Sequence, residues 1–191
     1  MDTSKASEAS DDLFQGKLLR LAAAREEDAA HMARWSEDSG YMRGLDTDYA
    51  RPRPEREFSP ESYGQAAGPN SLEFRLRTLE DDRLVGFVAL HTIEWNNRAA
   101  MLAIGIGEPD YRGKGYGTDA LRLILRYAFD ELNLERVGLD VIANNQAAIR
   151  AYERVGFRRE GAMRRAVLRD GQAHDRLIMG ILREEWSRGL A

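Results

Sequence analysis

The chain has 191 residues, of which 43% are hydrophobic and 31% are charged, a composition typical of one folded domain with a buried core. Its net charge of −4 argues against a nucleic-acid partner, and no apolar run reaches the roughly eighteen residues of a membrane span, so we predict no membrane partner either. The absence of cysteine excludes disulfides and thiolate metal sites and is compatible with the cytoplasm, where we expect the protein to act.

The first residues of the chain differ in composition from the rest. Residues 1–16, MDTSKASEASDDLFQG, are small and polar and lack the apolar core of a signal peptide. We predict that residues 1–16 form a flexible tail and that residues 17–188 form one domain.

The first half of this domain mixes strand and helix patterns. Residues 17–24 predict an edge strand, and residues 25–38 predict an amphipathic helix with acidic residues in its first turn. Residues 41–70 are rich in proline and charge and lack a clear period, so we expect a loop with short helical pieces. Alternating apolar and polar residues, interrupted by turn residues, then predict three antiparallel strands within residues 71–107.

The second half of the domain begins with a helix. Apolar residues recur at helical spacing over residues 117–132, a strand follows at 136–143, and a second helix follows at 144–157, where Asn145 suits the N-cap. The last two strands meet at Asp170-Gly171, a strong hairpin turn. We therefore predict an α+β fold, with α and β mixed, around one largely antiparallel sheet.

A glycine-rich segment, EPDYRGKGYG, precedes the first of these two helices. Glycines let a backbone approach a ligand closely, and the N–H groups at a helix N-terminus favour an anion, so the segment predicts a phosphate-binding loop. Three phosphate-binding motifs compete for it. The P-loop motif of nucleoside triphosphatases fails, because Lys114 is followed by Gly115 instead of serine or threonine.

The other two motifs both fit the letters of the segment. The dinucleotide fingerprint G-x-G-x-x-[GA] is met by Gly115, Gly117 and Ala120, but it needs its first glycine at a strand end, and here the strand ends near Gly107. A nicotinamide-dependent oxidoreductase is therefore the less favoured alternative. The motif R-x-x-G-x-G is met as well, and its Arg112 adds a fixed cation beside the helix N-terminus.

Two separated motifs resemble the GNAT-type N-acetyltransferase superfamily: RGKGYG at residues 112–117 and NQAAIRAYERVGF at residues 145–157. The resemblance extends from about Lys17 to Trp186, and the closing segment, residues 157–186, resembles the RimJ/RimL-like branch, which includes acetyltransferases of protein N-terminal amines. The resemblance implies the GNAT fold, with about six or seven strands, splayed middle strands and flanking helices.

The same resemblance implies that acetyl-CoA is the cosubstrate. Its pyrophosphate would lie on the glycine-rich segment at residues 108–117, which we call the glycine loop, and its pantetheine arm would lie between the splayed strands. The implied binding residues are Ile104, Gly105, Ile106, Arg112, Gly113, Lys114, Gly115, Tyr116, Gly117, Thr118, Asn145, Ala148 and Tyr152.

The resemblance also implies catalytic roles. Tyr152 is the implied general acid, because a phenol near the thioester sulfur can protonate the departing thiolate after direct attack by an amine in a ternary complex. In many members of this family a glutamate on the strand that residues 99–107 form here acts as the general base. This strand has Met101 at the corresponding place. Glu94, at the end of the preceding strand, is the nearest substitute and the candidate base.

The acceptor amine is left open by the sequence. The implied acceptor-binding segments, residues 31–65 and 164–176, mix arginines with acidic residues, so a protein N-terminal α-amine and a small-molecule amine both fit. A non-catalytic acyl-CoA-binding or partner-binding module of the same fold also stays open, because a fold alone does not prove activity.

The resemblance also implies a possible homodimer, because dimers are common in the family that the chain resembles. The three histidines lack metal-ligand spacing, so no metal site is predicted.

Overall fold

A computed structural model describes residues 12–61 and 68–189 of the chain. Most of the predicted tail, residues 1–11, lies outside the described residues. The described end of that segment contacts the domain, because the guanidinium of Arg126 donates a hydrogen bond to the backbone carbonyl of Gln15 at 2.8 Å.

Seven strands form one sheet, and they span Leu19–Ala22 (β1), Leu72–Thr78 (β2), Leu84–Glu94 (β3), Ala99–Ile106 (β4), Arg136–Ile142 (β5), Arg158–Arg169 (β6) and Gln172–Leu182 (β7). Their order across the sheet is β1-β2-β3-β4-β5-β7-β6. Every neighbouring pair is antiparallel except β4 and β5, which are parallel. The predicted mixed fold with a largely antiparallel sheet is confirmed.

Strands β4 and β5 lie side by side over only part of their length. Their pairing joins Ala99–Met101 to Arg136–Gly138, whereas β4 continues to Ile106 and β5 to Ile142. Beyond the paired residues the two strands separate and leave an opening in the middle of the sheet. The predicted splay of the middle strands is confirmed.

The helices span Asp28–Ser36 (α1), Ser39–Leu45 (α2), Tyr116–Arg126 (α3), Gln146–Arg154 (α4) and Arg183–Gly189 (α5). The predicted N-cap of α4 is confirmed, because the side-chain oxygen of Asn145 accepts a hydrogen bond from the N–H of Ala148 at 3.2 Å. The predicted hairpin turn is also confirmed: Asp170 and Gly171 both have positive φ, 50° and 73°, as a two-residue turn between antiparallel strands requires.

Alternate side chains of the sheet pack against two helical layers. Val88 and Leu90 of β3 lie in the larger apolar cluster with residues of α3 and α4, whereas Phe87 of the same strand packs with α1 and with Tyr41 of α2. The opening between β4 and β5 therefore lies between two layers of helix. Within the described parts of the chain, no helix is both long enough and apolar enough to span a bilayer.

Buried charges fasten α1 to β2. The carboxylate of Asp28 accepts a hydrogen bond from Nη2 of Arg77 at 2.5 Å and lies 3.8 Å from Nε of Arg75. Arg75 also pairs with the carboxylate of Glu73. Each of these buried charges thus has a partner of opposite sign, without which its burial would be costly.

Candidate active site

A groove of about 700 Å³ lies at the opening between β4 and β5, and we call it the splay groove. Its walls come from the end of β4, the glycine loop, α2 and α4. Ten of the predicted cofactor-binding residues line it: Ile104, Gly105, Ile106, Arg112, Gly113, Gly115, Gly117, Thr118, Asn145 and Ala148. Three others, Lys114, Tyr116 and Tyr152, are not among the lining residues.

The glycine loop has the backbone that an anion site needs. Gly113 and Gly115 have φ of 74° and 92°, in the left-handed region that favours glycine. The first backbone bond of α3 runs from the N–H of Asp119 to the carbonyl of Gly115 at 3.0 Å, so the preceding N–H groups have no carbonyl of the helix to bond. These donors lie at the positive end of the helix dipole, where phosphate is favoured.

Asp119, the acidic residue in the first turn of α3, does not place its negative charge in the anion site. The carboxylate of Asp119 accepts hydrogen bonds from the N–H groups of Lys17, Leu18 and Leu19 at 2.8 to 3.0 Å. Its negative charge is therefore used to hold β1, and it does not appear among the residues that line the splay groove.

The guanidinium of Arg112 makes hydrogen bonds to other groups of the protein. It donates to the carbonyls of Ile106 at 2.9 Å and Gly107 at 2.6 Å and to the carboxylate of Asp38 at 3.0 Å. A backbone N–H of Tyr41 and this guanidinium together lower the pKa of Asp38. Arg112 thus fastens the end of β4 to the glycine loop and to the start of α2.

The splay groove is cationic although the whole chain is acidic. Its lining contains Arg43, Arg112, Arg150 and Arg154 and neither aspartate nor glutamate. Sequence analysis missed Arg150 and Arg154. Their spacing of four residues on a helix that begins at Asn145 was the available signal, because residues so spaced share one helix face.

Tyr152 lies in the core beneath the groove. Its side chain is 9% exposed and packs edge-on against Phe157, with ring centres 5.8 Å apart. Burial, with a smaller effect of the Asp140 carboxylate on β5, raises the pKa of Tyr152 to about 12. The hydroxyl therefore stays protonated at neutral pH and can donate a proton.

A second cavity, of about 350 Å³, lies on the side of the sheet that α1 and α2 cover, and we call it the α1–α2 cavity. Aromatic and aliphatic side chains dominate its lining, and its charged or titratable residues are Asp46, Arg53, Glu73 and His91. Tyr41 and Leu45 line both this cavity and the splay groove. On β4 the two cavities meet at neighbouring residues, since Ala103 lines one and Ile104 the other.

Two titratable groups of the α1–α2 cavity have shifted pKa values. Burial raises the pKa of Glu73, against the opposing effect of Arg75. Burial lowers the pKa of His91, against the opposing effect of Asp140. The shift of Glu73 brings its pKa closer to neutral pH, whereas the shift of His91 keeps its ring neutral at pH 7. Shifted pKa values are common for groups that exchange protons with a substrate. Sequence analysis did not find Glu73, because only the strand register reveals which face of β2 it occupies.

Glu94, the base predicted from the sequence, is not brought to this site. It ends β3, and its carboxylate accepts a hydrogen bond from the side-chain amide of Asn97 at 2.5 Å within the turn to β4. Glu94 lines neither the splay groove nor the α1–α2 cavity. In the described ranges, no cluster of three or more acidic or histidine residues could hold a metal ion.

The described parts of the two segments expected to bind the acceptor meet in space, and residues 62–65 of the first segment lie outside the described residues. At the end of the β6–β7 hairpin, Arg169 donates a hydrogen bond to the carbonyl of Asp48 at 2.7 Å. Arg176 of β7 donates to the hydroxyl of Thr47 at 2.6 Å. The hairpin is thereby fastened to the loop that follows α2.

Comparison with known proteins gives a family match. The model of the family described as "Acetyltransferase (GNAT) domain" matches residues 19–158. A Bacillus subtilis protein named "Putative ribosomal N-acetyltransferase YdaF" is 35% identical over 127 residues, 66% of this chain and 68% of its own length. Spermidine N(1)-acetyltransferase of Escherichia coli is 34% identical over 106 residues, 56% of each chain.

A solved structure extends the likeness over nearly the whole fold. The crystal structure of spermidine N-acetyltransferase from Vibrio cholerae in complex with CoA and spermine matches with a TM-score of 0.79 and 25% identity. The match covers 88% of this chain and 98% of the other. These likenesses do not favour a nicotinamide oxidoreductase or a non-catalytic module.

Proposed function

We propose, from the premise that this chain belongs to the acetyltransferase (GNAT) domain family, that its two cavities hold the two substrates of the reaction. The chain is an N-acetyltransferase that moves an acetyl group from acetyl-CoA to an amine. In our proposal the splay groove binds acetyl-CoA and the α1–α2 cavity binds the amine.

The observation that carries this assignment is the difference in charge between two cavities that share a wall. The splay groove has arginines and no acidic residue, which suits the phosphates of acetyl-CoA. The α1–α2 cavity contains Asp46 and Glu73, which suit a cationic amine. Its single arginine, Arg53, is paired with Glu57 at 2.9 Å. Both cavities border β4 and share Tyr41 and Leu45, so their contents can meet at that strand.

The residues of the splay groove fit acetyl-CoA. The N–H groups at the start of α3 would bind the pyrophosphate, and the open space around Gly113, where an added Cβ would meet nothing within 4 Å, lets it approach. Backbone of Ile104 to Ile106, freed from pairing with β5, would bond the pantetheine arm as a neighbouring strand would. Acetyl-CoA supplies the acetyl group as a thioester.

Two protons leave the acceptor nitrogen during the transfer. As the carbon–sulfur bond breaks, the Tyr152 hydroxyl gives its proton to the departing thiolate and recovers one from the nitrogen. The other proton passes to His91 and then to solvent. His91 suits this role because its lowered pKa leaves its ring neutral at pH 7, and because it lies on β3 opposite Met101 of β4.

For the acceptor we favour an aliphatic primary amine that carries a second cationic nitrogen. The α1–α2 cavity combines an apolar lining for a hydrocarbon chain with two carboxylates for a distant cation, Asp46 and Glu73, of which Glu73 also pairs with Arg75. The names of the Escherichia coli and Vibrio cholerae relatives refer to spermidine, an amine of this chemistry.

A protein N-terminal α-amine is the second candidate. It accords with the resemblance to the RimJ/RimL-like branch and with a relative whose name refers to the ribosome. An α-amine is roughly 15% deprotonated at pH 7, against about 0.04% for a lysine amine, so it needs less help from a base. The absence of a carboxylate on the described strand β4 favours such an acceptor.

An acceptor panel tests the proposal through release of CoA thiol. We expect kcat/KM for spermidine to exceed that for a monoamine of similar length by about tenfold or more, the effect of one charge-assisted contact. Glu73→Gln should abolish this preference, whereas Asp130→Asn, an exposed carboxylate that lines neither cavity, should keep it. Turnover of a peptide with a free α-amine, and none with spermidine, would instead favour the second candidate.

Three further predictions accompany the proposal. We expect a cytoplasmic enzyme, a homodimer and no nucleic-acid partner, and subcellular fractionation, sedimentation and binding to a DNA column would test them in turn.

A further inference from the structure

We propose that Arg150 and Arg154 bind the 3′-phosphate of acetyl-CoA and so make the enzyme select CoA compounds over their 3′-dephospho forms. The inference rests on the proposed binding of acetyl-CoA in the splay groove, and it assigns a role to two residues that this binding has not used so far.

The four arginines of the splay groove differ in whether their charge is free to bind a ligand. Arg43 pairs with Asp170 at 2.6 Å, and Arg112 pairs with Asp38 at 3.0 Å while its other nitrogens hold backbone carbonyls. Those two guanidinium groups are therefore already committed to the protein. A ligand phosphate would have to compete with an existing carboxylate for either of them.

Arg150 and Arg154 differ in this respect. Both are exposed, and neither side chain makes a hydrogen bond or an ion pair with any residue in the described ranges 12–61 and 68–189. Both line the splay groove, and the groove holds no carboxylate that could neutralise them. They are the arginines of the groove whose charge is available to a bound anion.

Their position on α4 aims both side chains at the same ligand. Ala147, Arg150, Ala151 and Arg154 all line the groove, and this spacing of three and four residues defines one face of a helix. The two alanines leave room along the helix, and the two arginines stand one turn apart. Residues so spaced have Cβ atoms about 5–6 Å apart, so their two guanidinium groups can share one phosphate through several charge-assisted hydrogen bonds.

The 3′-phosphate is the group of acetyl-CoA that such a pair would suit. The pyrophosphate has its own donors at the start of α3, on a different element from α4. The remaining phosphate is a monoester, which carries a charge of about −1.5 to −2 at pH 7. Two arginines match that charge, whereas a backbone site without side-chain cations would not.

The alternative is that both arginines belong to a solvated helix face with no ligand. Arg122 serves as the matched control, because it is also exposed, lies on α3 and does not line the groove. Replacing it removes the same charge from the protein without touching the proposed site. The positions of all three arginines are exposed, so glutamine variants should fold, which thermal denaturation will verify.

The experiment compares Kd for acetyl-CoA and for 3′-dephospho-acetyl-CoA in wild type, Arg150→Gln, Arg154→Gln, the double variant and Arg122→Gln. In wild type and in Arg122→Gln we expect acetyl-CoA to bind about tenfold or more tightly than the dephospho compound. Each single variant should reduce this ratio, and the double variant should bring it close to one.

Two results would overturn the inference. A wild type that binds both compounds equally has no 3′-phosphate site, and a double variant that keeps the wild-type ratio places that site elsewhere. Both results leave acetyl-CoA binding in the groove intact. Failure of the wild type to bind either compound would instead contradict the proposed function itself, so the two failures are distinguishable.

Discussion

The hydroxyl of Tyr41 on α2 occupies the space into which a side chain at Gly105 of β4 would project. A Cβ at that position would also lie 2.9 Å from Cδ1 of Leu45. The ring of Tyr41 is held from another side by Arg112, whose guanidinium carbon lies 4.9 Å from the ring centre. Tyr41 and Leu45 form the common wall of the two cavities, and glycine at position 105 lets that wall lie directly on the strand.

Replacing Gly105 by alanine should therefore damage both substrate sites at once. The added methyl group must displace the side chains of Tyr41 and Leu45, which should lower the free energy of unfolding by about 1–3 kcal/mol. We expect KM to rise for acetyl-CoA and for the amine together. Chemical denaturation and steady-state kinetics would measure the two effects.

Gly161→Ala is the matched control for this substitution, because an added Cβ at Gly161 would meet no atom within 4 Å. Its free energy of unfolding should stay within about 0.5 kcal/mol of wild type, with both KM values unchanged. Equal behaviour of the two alanine variants would contradict the role given to the wall.

Arg112 should contribute to stability before any ligand binds. Arg112→Ala leaves the carbonyls of Ile106 and Gly107 without this donor and Asp38 without this partner, so we expect the ligand-free protein to lose about 1–3 kcal/mol. Arg112→Lys should not restore it, since one ammonium cannot span three acceptors. If thermal denaturation of the ligand-free protein is unchanged while acetyl-CoA binding is lost, Arg112 acts as a phosphate ligand instead.

Tyr152→Phe should lower kcat by about 10²-fold or more while KM for acetyl-CoA changes little, because the ring still packs and only the proton donor is lost. In wild type, the pKa of about 12 keeps the hydroxyl protonated across the alkaline range that proteins tolerate. We therefore expect no loss of kcat between about pH 8 and pH 10 from this group. A fall in kcat centred near pH 10 that disappears in Tyr152→Phe would show an ordinary phenol.

The pH dependence on the acidic side should report His91. Burial lowers the pKa of His91 below the ordinary histidine value of about 6.5. The ring therefore stays neutral, and able to accept a proton, at lower pH than an ordinary histidine. We expect kcat to rise with pH on the acidic side and to reach half of its plateau value below about pH 6.5. At higher pH kcat should stay level. His91→Gln should remove this limb and lower the plateau, whereas a limb that survives the substitution assigns it to another group.

Much of this fold could be predicted because its signals are local. The alternation in β2 and β3, the N-cap at Asn145 and the turn at Asp170-Gly171 each depend on a few neighbouring residues. The phosphate-binding loop between β4 and α3 is predictable for the same reason, since its glycines and the helix after it are contiguous in the sequence. The motifs then placed ten of thirteen predicted cofactor residues on one groove.

The acceptor side could not be predicted, because its residues meet only through the sheet register. Glu73, Ala89 and Ala103 lie in one row across β2, β3 and β4, and no local pattern links them. Nearness in sequence to β4 favours Glu94 as the base. The strand carries it to a turn instead, on the far side of the register shift between His91 and Glu94.

Thermal denaturation of wild type, Gly117→Ala and Gly117→Asp with and without acetyl-CoA tests most directly that the splay groove binds this cosubstrate. A Cβ at Gly117 has only ordinary contact with Ile106 at 3.8 Å, so both variants should fold. We predict that acetyl-CoA at 100 times its Kd stabilises wild type by about 2.7 kcal/mol, that Gly117→Ala keeps most of this effect, and that the carboxylate of Gly117→Asp abolishes it. Equal stabilisation of Gly117→Asp and wild type, or stabilisation of wild type by NAD in place of acetyl-CoA, would contradict the account.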